Sequence, residues 1–253
     1  AETTLSKYLY CIRPFLDYLI RSRRLRQRDN PADELRIKAN QHAERQTLSQ
    51  AELKQLIDFL EQEVYRSRNA EELGIVKKHF GAVRDLALVL LFVLCGLRLS
   101  EVGRMRVEDV DVDKRALRIV AKGNRHARGK LRELLVDELL WRRLTEYLRC
   151  RHHPGQPALW ISWNGRPLRI GSINRIIHTR IAETGITKVI SPHALRATCA
   201  SLYVKKGMDP YSLKTLLGHE SLKTTMDHYT KLTEEELREI WKRTNPLAGY
   251  DDE

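Results

Sequence analysis

Leu5, Tyr8, Leu9, Ile12, Phe15, Leu16 and Leu19 recur every three or four residues, the period of one helical face, and predict a helix over 4–27. Pro14 falls inside this run and is expected to bend it. Asn30-Pro31 is the expected stop, and a polar stretch over 36–46 reads as a linker. Beyond it, Ser49 and Glu52 have capping-box spacing ahead of Leu53, Leu56, Ile57 and Leu60. Residues 83–94 are apolar nearly all round, so they predict a helix at the domain centre, ended by Gly96. Between 107 and 136 the period shortens to two. Leu117, Ile119 and Ala121 alternate with Arg118, Val120 and Lys122, a Gly-Asn turn follows, and 130–136 completes a hairpin. From Asp137 to Arg243 helical periodicity returns in several segments, with no internal repeat. The expected class is mainly α with one small antiparallel β-sheet, an α+β arrangement.

Composition narrows the partners. The 253 residues carry 45 Lys+Arg against 33 Asp+Glu, a net charge of +12. Such an excess favours a polyanion, nucleic acid before an anionic membrane surface. The longest apolar stretch, Leu86 to Cys95, is about half of a membrane span. Residues 1–9 show no signal-peptide pattern. Cys11, Cys95, Cys150 and Cys199 lack metal-ligand spacing and read as reduced core thiols of an intracellular protein; no metal or other cofactor is expected. A single helix before the linker is too little for an independent core, so the N-terminal domain is expected to be incomplete here.

Several residues could serve chemistry on a phosphodiester. Ser191-Pro192 reads as an N-cap and first helical position, and His193 and Arg196 then share a helix face. Arg98 follows the turn at Gly96, with Leu97 and Leu99 able to pin it. Its planar fork suits a phosphate, and Glu101 is placed to orient it; an ion pair with Glu101 or Glu108 is the competing reading. Lys122 sits at the hairpin tip among Arg125, His126, Arg128 and Lys130, enough charge to enter a DNA groove. Arg21, Arg23, Arg24, Arg26 and Arg28 read either as a solvated helix end or as phosphate contacts. Gly218 should end one helix and Ser221 cap the next. Tyr229 then falls near the end of a short helix, with a hydroxyl free to move and His219 ten residues before it.

Taken in order, GLRLSEV, AKGNR, HALRATCA, LLGHES and TTMDHYT resemble the signature of the tyrosine recombinase or phage integrase family. The resemblance covers about 47–245. Ala197 stands where many members carry another histidine, and the interval from His219 to Tyr229 is ten where some show nine. It implies residues 1–35 as part of a helical, SAM-like core-binding domain, 36–46 as linker, 47–245 as catalytic domain and 246–253 as tail.

Carried over, the resemblance implies that Arg98 and Arg196 bind the scissile phosphate and Tyr229 attacks it. His193 would accept the phenolic proton, Lys122 protonate the 5′-oxygen, His219 hydrogen-bond the phosphate and Glu101 orient the site. Arg21, Arg23, Arg24, Arg125, Arg128 and Lys130 would contact DNA. It implies a homotetramer on two duplexes, with the helix at 233–243 docking on a neighbour, or else packing intramolecularly through Leu237, Ile240 and Trp241. Accessory proteins are possible partners, and the location would be cytoplasmic, at the nucleoid. The expected role is an integrase of a mobile element. The alternatives are a Xer-type chromosome-dimer resolvase, a type IB topoisomerase and a non-catalytic DNA-binding relative. A metal-dependent nuclease would need a carboxylate cluster that the sequence lacks.

Overall fold

The structure is a computed structural model, and it describes residues 2–32, 46–68, 73–120 and 131–244. The chain divides into two compact units, residues 1–45 and 46–253. The expected linker at 36–46, apart from Gln46, and the expected tail at 246–253 lie outside the described residues.

In the first unit, helix α1 (Glu2–Arg21) runs through Pro14. It stops six residues before the predicted end because Arg23 turns into the left-handed region at φ 57°, with Arg24 N–H bonded back to the Leu19 carbonyl. A 3₁₀ turn at Gln27–Asp29 takes up the rest of the basic run. Tyr8, Ile12 and Phe15 of the predicted stripe stand exposed, whereas Leu16 is buried. Cys11 is exposed too, which corrects its reading as a core thiol.

The second unit is built around α3 (Leu73–Leu94), longer at its start than predicted. From Val83 to Phe92 only Arg84 and Asp85 interrupt a run of apolar side chains that are all buried. Helices α2 (Gln50–Ser67), α5 (Glu138–Cys150), α6 (Ile170–Glu183) and α7 (Pro192–Lys205) pack around it. Ser49 and Glu52 close the predicted capping box at 3.2 and 2.7 Å. Asp85, though 2% exposed, is paired with Arg84 (2.7 Å) and Arg180 (2.8 Å), as a buried charge requires. The chain leaves α3 into a one-turn helix, α4 (Leu99–Val102).

Among the described residues the sheet has three antiparallel strands, β1 (Val110–Asp111), β2 (Ala116–Val120) and β3 (Leu131–Leu135), in that order. Leu117 and Ile119 face the core while Arg118 and Val120 face out, as the alternation predicts. After α7 come α8 (Pro210–Leu217), α9 (Leu222–Tyr229) and α10 (Glu234–Thr244). Between α7 and α8 the buried residues Cys199, Val204, Leu213 and Leu217 form a second apolar cluster, with Tyr229 against it. No helix among the described residues is long and apolar enough to cross a membrane.

Candidate active site

The turn after α3 positions Arg98. Gly96 takes φ 56°, and a Cβ there would stand 3.1 Å from Cys199 Sγ and closer still to Leu217. Leu97, fully buried, fixes the turn. Arg98 is then the N-cap of α4, and Glu101 reaches back to accept from its backbone N–H (2.8 Å) and its Nη1 (2.9 Å). Glu101 has a side chain only 1% exposed. Burial alone would raise its pKa, but the donors from Arg98 and Arg132 outweigh burial and lower it.

Arg196 enters from α7. Ser191 caps that helix through the Ala194 N–H (3.2 Å) and Pro192 opens it, as predicted. His193 is exposed one turn before Arg196, which is 7% exposed. The Arg196 guanidinium donates to the Gly96 carbonyl and, at 2.8 Å, to the Leu217 carbonyl.

Both arginines meet at the end of α8. Gly218, at φ 64°, closes a Schellman turn: its N–H bonds Thr215 O (3.2 Å), and the His219 N–H bonds Lys214 O (3.1 Å). Arg196 occupies the Leu217 carbonyl, and Arg98 Nη2 donates to the next one, Gly218 O (2.9 Å). Two guanidiniums that are far apart in sequence thus sit on consecutive carbonyls at the negative end of a helix. Burial first, then repulsion by Arg98, lowers the pKa of Arg196 to about 10, so it stays charged at neutral pH. His219 follows directly, its Nδ1 2.9 Å from Thr225 Oγ1. Burial and then the charges of Arg196 and Arg98 push its pKa down to about 4, so the ring is neutral at pH 7.

Tyr229 ends α9, as predicted, but its hydroxyl is not free. It donates to the carbonyl of Met208 in the turn between α7 and α8. Burial and then the neighbouring Asp209 raise its pKa, the opposite of what the arginines would do. The structure therefore brings together Arg98, Glu101, Arg196 and His219, and it holds the phenol on a backbone acceptor.

Lys122, Arg125, Arg128 and Lys130 lie outside the described residues, between strands that pair in register up to Val120 and Leu131. Arg21, Arg23 and Arg24 are exposed, in the first unit. Among the described residues no three His, Cys, Asp or Glu side chains are placed to hold a metal ion.

Sequence reasoning missed Arg132. It faces Ile119 across the ladder and shares a strand face with buried Leu134, a core-facing position. From there it reaches Glu101 at 3.2 and 3.1 Å. Its parity with Leu134 was the available signal.

The phage integrase family profile matches residues 46–236. Tyrosine recombinase XerC of Alcanivorax borkumensis is 29% identical over 249 residues, covering 97% of this chain and 74% of its own length. XerC of Pseudomonas aeruginosa is 30% identical over 253 residues, covering 98% and 75%. XerD of Corynebacterium glutamicum is 34% identical over 169 residues, covering 66% of this chain and 54% of its own length. The chain thus spans about half the length of some curated relatives and three quarters of others. Among solved structures, the Tn1549 transposon integrase in complex with circular intermediate DNA matches with a TM-score of 0.68 at 17% identity, covering 94% of this chain and 78% of that one. XerA recombinase matches at 0.62 and 23% identity, covering 93% and 82%. Those two likenesses concern the fold. The profile match over 46–236 and the 30% identity to the Pseudomonas aeruginosa XerC over 98% of this chain show the family: the chain belongs to the phage integrase family of tyrosine recombinases.

Proposed function

We propose that this chain is a site-specific DNA recombinase that cuts and rejoins strands through a 3′-phosphotyrosine. The observation that carries this reading is the convergence of Arg98, Arg196 and neutral His219 on the last turn of α8. A backbone phosphate would replace the Leu217 and Gly218 carbonyls as acceptor for the two forks. Both guanidiniums would then stabilise the charge that builds on the non-bridging oxygens in the pentacoordinate transition state. In the tautomer whose Nδ1 accepts from the Thr225 hydroxyl, His219 would carry its proton on Nε2 and could donate it to a phosphate oxygen.

Tyr229 would leave Met208 and attack phosphorus, His193 accepting the phenolic proton and Lys122 protonating the departing 5′-oxygen. Giving up the hydrogen bond to Met208 costs on the order of 1 kcal/mol, little against a barrier lowered by two cations. Covalent storage of the phosphodiester energy lets a second 5′-hydroxyl reverse the step without ATP.

Double-stranded DNA is the proposed partner, at a specific site and in the cytoplasm at the nucleoid. Arg21, Arg23 and Arg24, with Arg125, Arg128 and Lys130, are proposed as backbone contacts. A homotetramer on two duplexes is proposed because α10 leaves Leu237 51% and Trp241 66% exposed. Accessory proteins are a further proposed partner. The setting we favour is integration of a mobile element. Chromosome-dimer resolution is the second reading, favoured by curated relatives that carry the names XerC and XerD.

The test is incubation with a nicked duplex carrying its recombination site, followed by denaturing electrophoresis. The expected result is a covalent adduct that EDTA leaves unchanged and that Tyr229→Phe abolishes. Adduct formation by Tyr229→Phe at the parental rate overturns the mechanism.

A further inference from the structure

We infer that Arg132 is a positioning residue of this site: by sharing the Glu101 carboxylate, it holds Arg98 in place and keeps the charge of Arg98 available for an anion. The inference rests on the reading of Arg98 as a phosphate ligand.

Arg132 projects from the core-facing side of β3, and its side chain is 14% exposed. A guanidinium so placed needs partners, and Glu101 supplies them. Each carboxylate oxygen takes two donors. Oε1 accepts from Arg98 Nη1 (2.9 Å) and Arg132 Nη1 (3.2 Å), and Oε2 accepts from Arg98 N–H (2.8 Å) and Arg132 Nη2 (3.1 Å). That fills the four acceptor positions a carboxylate offers.

The charge count shows what this does. Arg98 and Glu101 alone form a neutral ion pair, which would compete with any phosphate for the arginine. With Arg132 added, one negative charge serves two guanidiniums and the triad carries a net positive charge. Arg196, which among the described residues leans on carbonyls alone, adds a second. Arg132 is also among the charges that lower the pKa of Arg196 and His219, so its field reaches the whole cradle.

Arg132 also touches the other end of the Arg98 fork. A Cβ on Gly218 would stand 2.6 Å from Arg132 Cζ, so the guanidinium lies against the bare Cα of the residue whose carbonyl Arg98 uses. Its Nε is buried with no partner among the described residues. An unpaired buried donor carries a cost that a purely structural peg would avoid, since an apolar side chain would fill the same place.

The experiment compares Arg132→Met, Arg132→Lys, Glu101→Gln and the double variant Arg132→Met/Glu101→Gln in the full chain. Adduct formation on the nicked duplex is followed in single turnovers, and pyrophosphate affinity is measured by calorimetry. Arg132→Met should slow adduct formation ten- to a hundredfold and weaken pyrophosphate about tenfold, because Glu101 then neutralises Arg98. Arg132→Lys should stay within about fivefold of the parent. The double variant should regain most of both losses, because a glutamine carbonyl can still accept from Arg98 and hold it while withdrawing no charge from it. Parental behaviour of Arg132→Met, or a double variant no better than Arg132→Met, overturns the inference. If Arg132→Met fails to fold, the lysine and double variants decide in the same way. If the parent itself forms no adduct, the recombinase reading fails, and pyrophosphate affinity still decides the role of Arg132.

Discussion

Replacing Gly218 with alanine tests whether the end of α8 is the point on which the cradle is built. The backbone there sits at φ 64° and ψ 45°, a conformation that costs an L-residue about 1–2 kcal/mol. The added Cβ would also stand 2.6 Å from Arg132 Cζ, well inside van der Waals contact. That guanidinium is tied twice to Glu101 and cannot swing away without loosening a charge-assisted hydrogen bond, worth about 1.5–3 kcal/mol. The sum is about 2.5–5 kcal/mol, or a fall in Tm of about 5–20 °C for a unit of this size. Two other glycines separate the contributions. Gly207 has φ 82° but leaves a Cβ 3.6 Å from Ile240, an ordinary contact, so its alanine variant should lose only the 1–2 kcal/mol of strain. Gly81 lies inside α3 with nothing within 4 Å, so its alanine variant should gain about 0.5–1 kcal/mol. Calorimetric melting of the three variants gives the order. If Gly218→Ala melts within 2 °C of the parent, or no lower than Gly207→Ala, Arg132 does not pack there and the argument fails.

Three further outcomes follow from the same geometry. His219 has a folded pKa of about 4, below the unfolded value of about 6.5, so the unfolded chain holds more protons between those values and stability rises with pH across that window. His219→Gln should flatten the rise of the urea midpoint between pH 4 and 6.5; an unchanged slope would show that the ring is not held neutral. Asp85→Asn takes the shared buried carboxylate from both arginines, leaving Arg84 the Ile161 carbonyl and Arg180 its pair with Glu183 (2.8 Å), and should cost about 3 kcal/mol in urea unfolding, with a loss under 1 kcal/mol counting against the ion triad. Ending the chain before Thr233 removes α10, including the Lys205–Glu236 pair at 2.7 Å and the Arg243 bond to the Lys205 carbonyl, and should abolish assembly on DNA in size exclusion. Unchanged assembly would give α10 an intramolecular role alone.

What was legible in the sequence was mostly local. The caps at Ser49, Ser191 and Ser221 need only a hydroxyl and an amide a few residues on, and all three form. The buried helix and the hairpin follow from period alone. The misplaced end of α1 has a different origin: Arg23 adopts a left-handed conformation that its side chain does not advertise. No sequence pattern marks the partner of the Tyr229 hydroxyl, because it is a backbone carbonyl twenty-one residues away, an acceptor every residue carries. Arg132 does not stand out in the sequence because its partner lies thirty-one residues away on α4, and a charged residue in a short strand normally faces water.

The two arginines of the cradle are held in different ways, and the difference bears on chemistry. Arg196 is nearly enclosed yet has no carboxylate partner among the described residues; its acceptors there are the carbonyls of Gly96 and Leu217. Neutral dipoles at a helix end compensate part of the desolvation of a guanidinium without cancelling its charge. Arg98 does bond a carboxylate, but one already divided with Arg132. In both cases the fork is oriented before any anion arrives, and its charge is left largely unspent. On the proposed function, a phosphate taking the place of the Leu217 and Gly218 carbonyls would exchange a dipole for a full negative charge in the same geometry, and little rearrangement of the cradle would be needed to meet it.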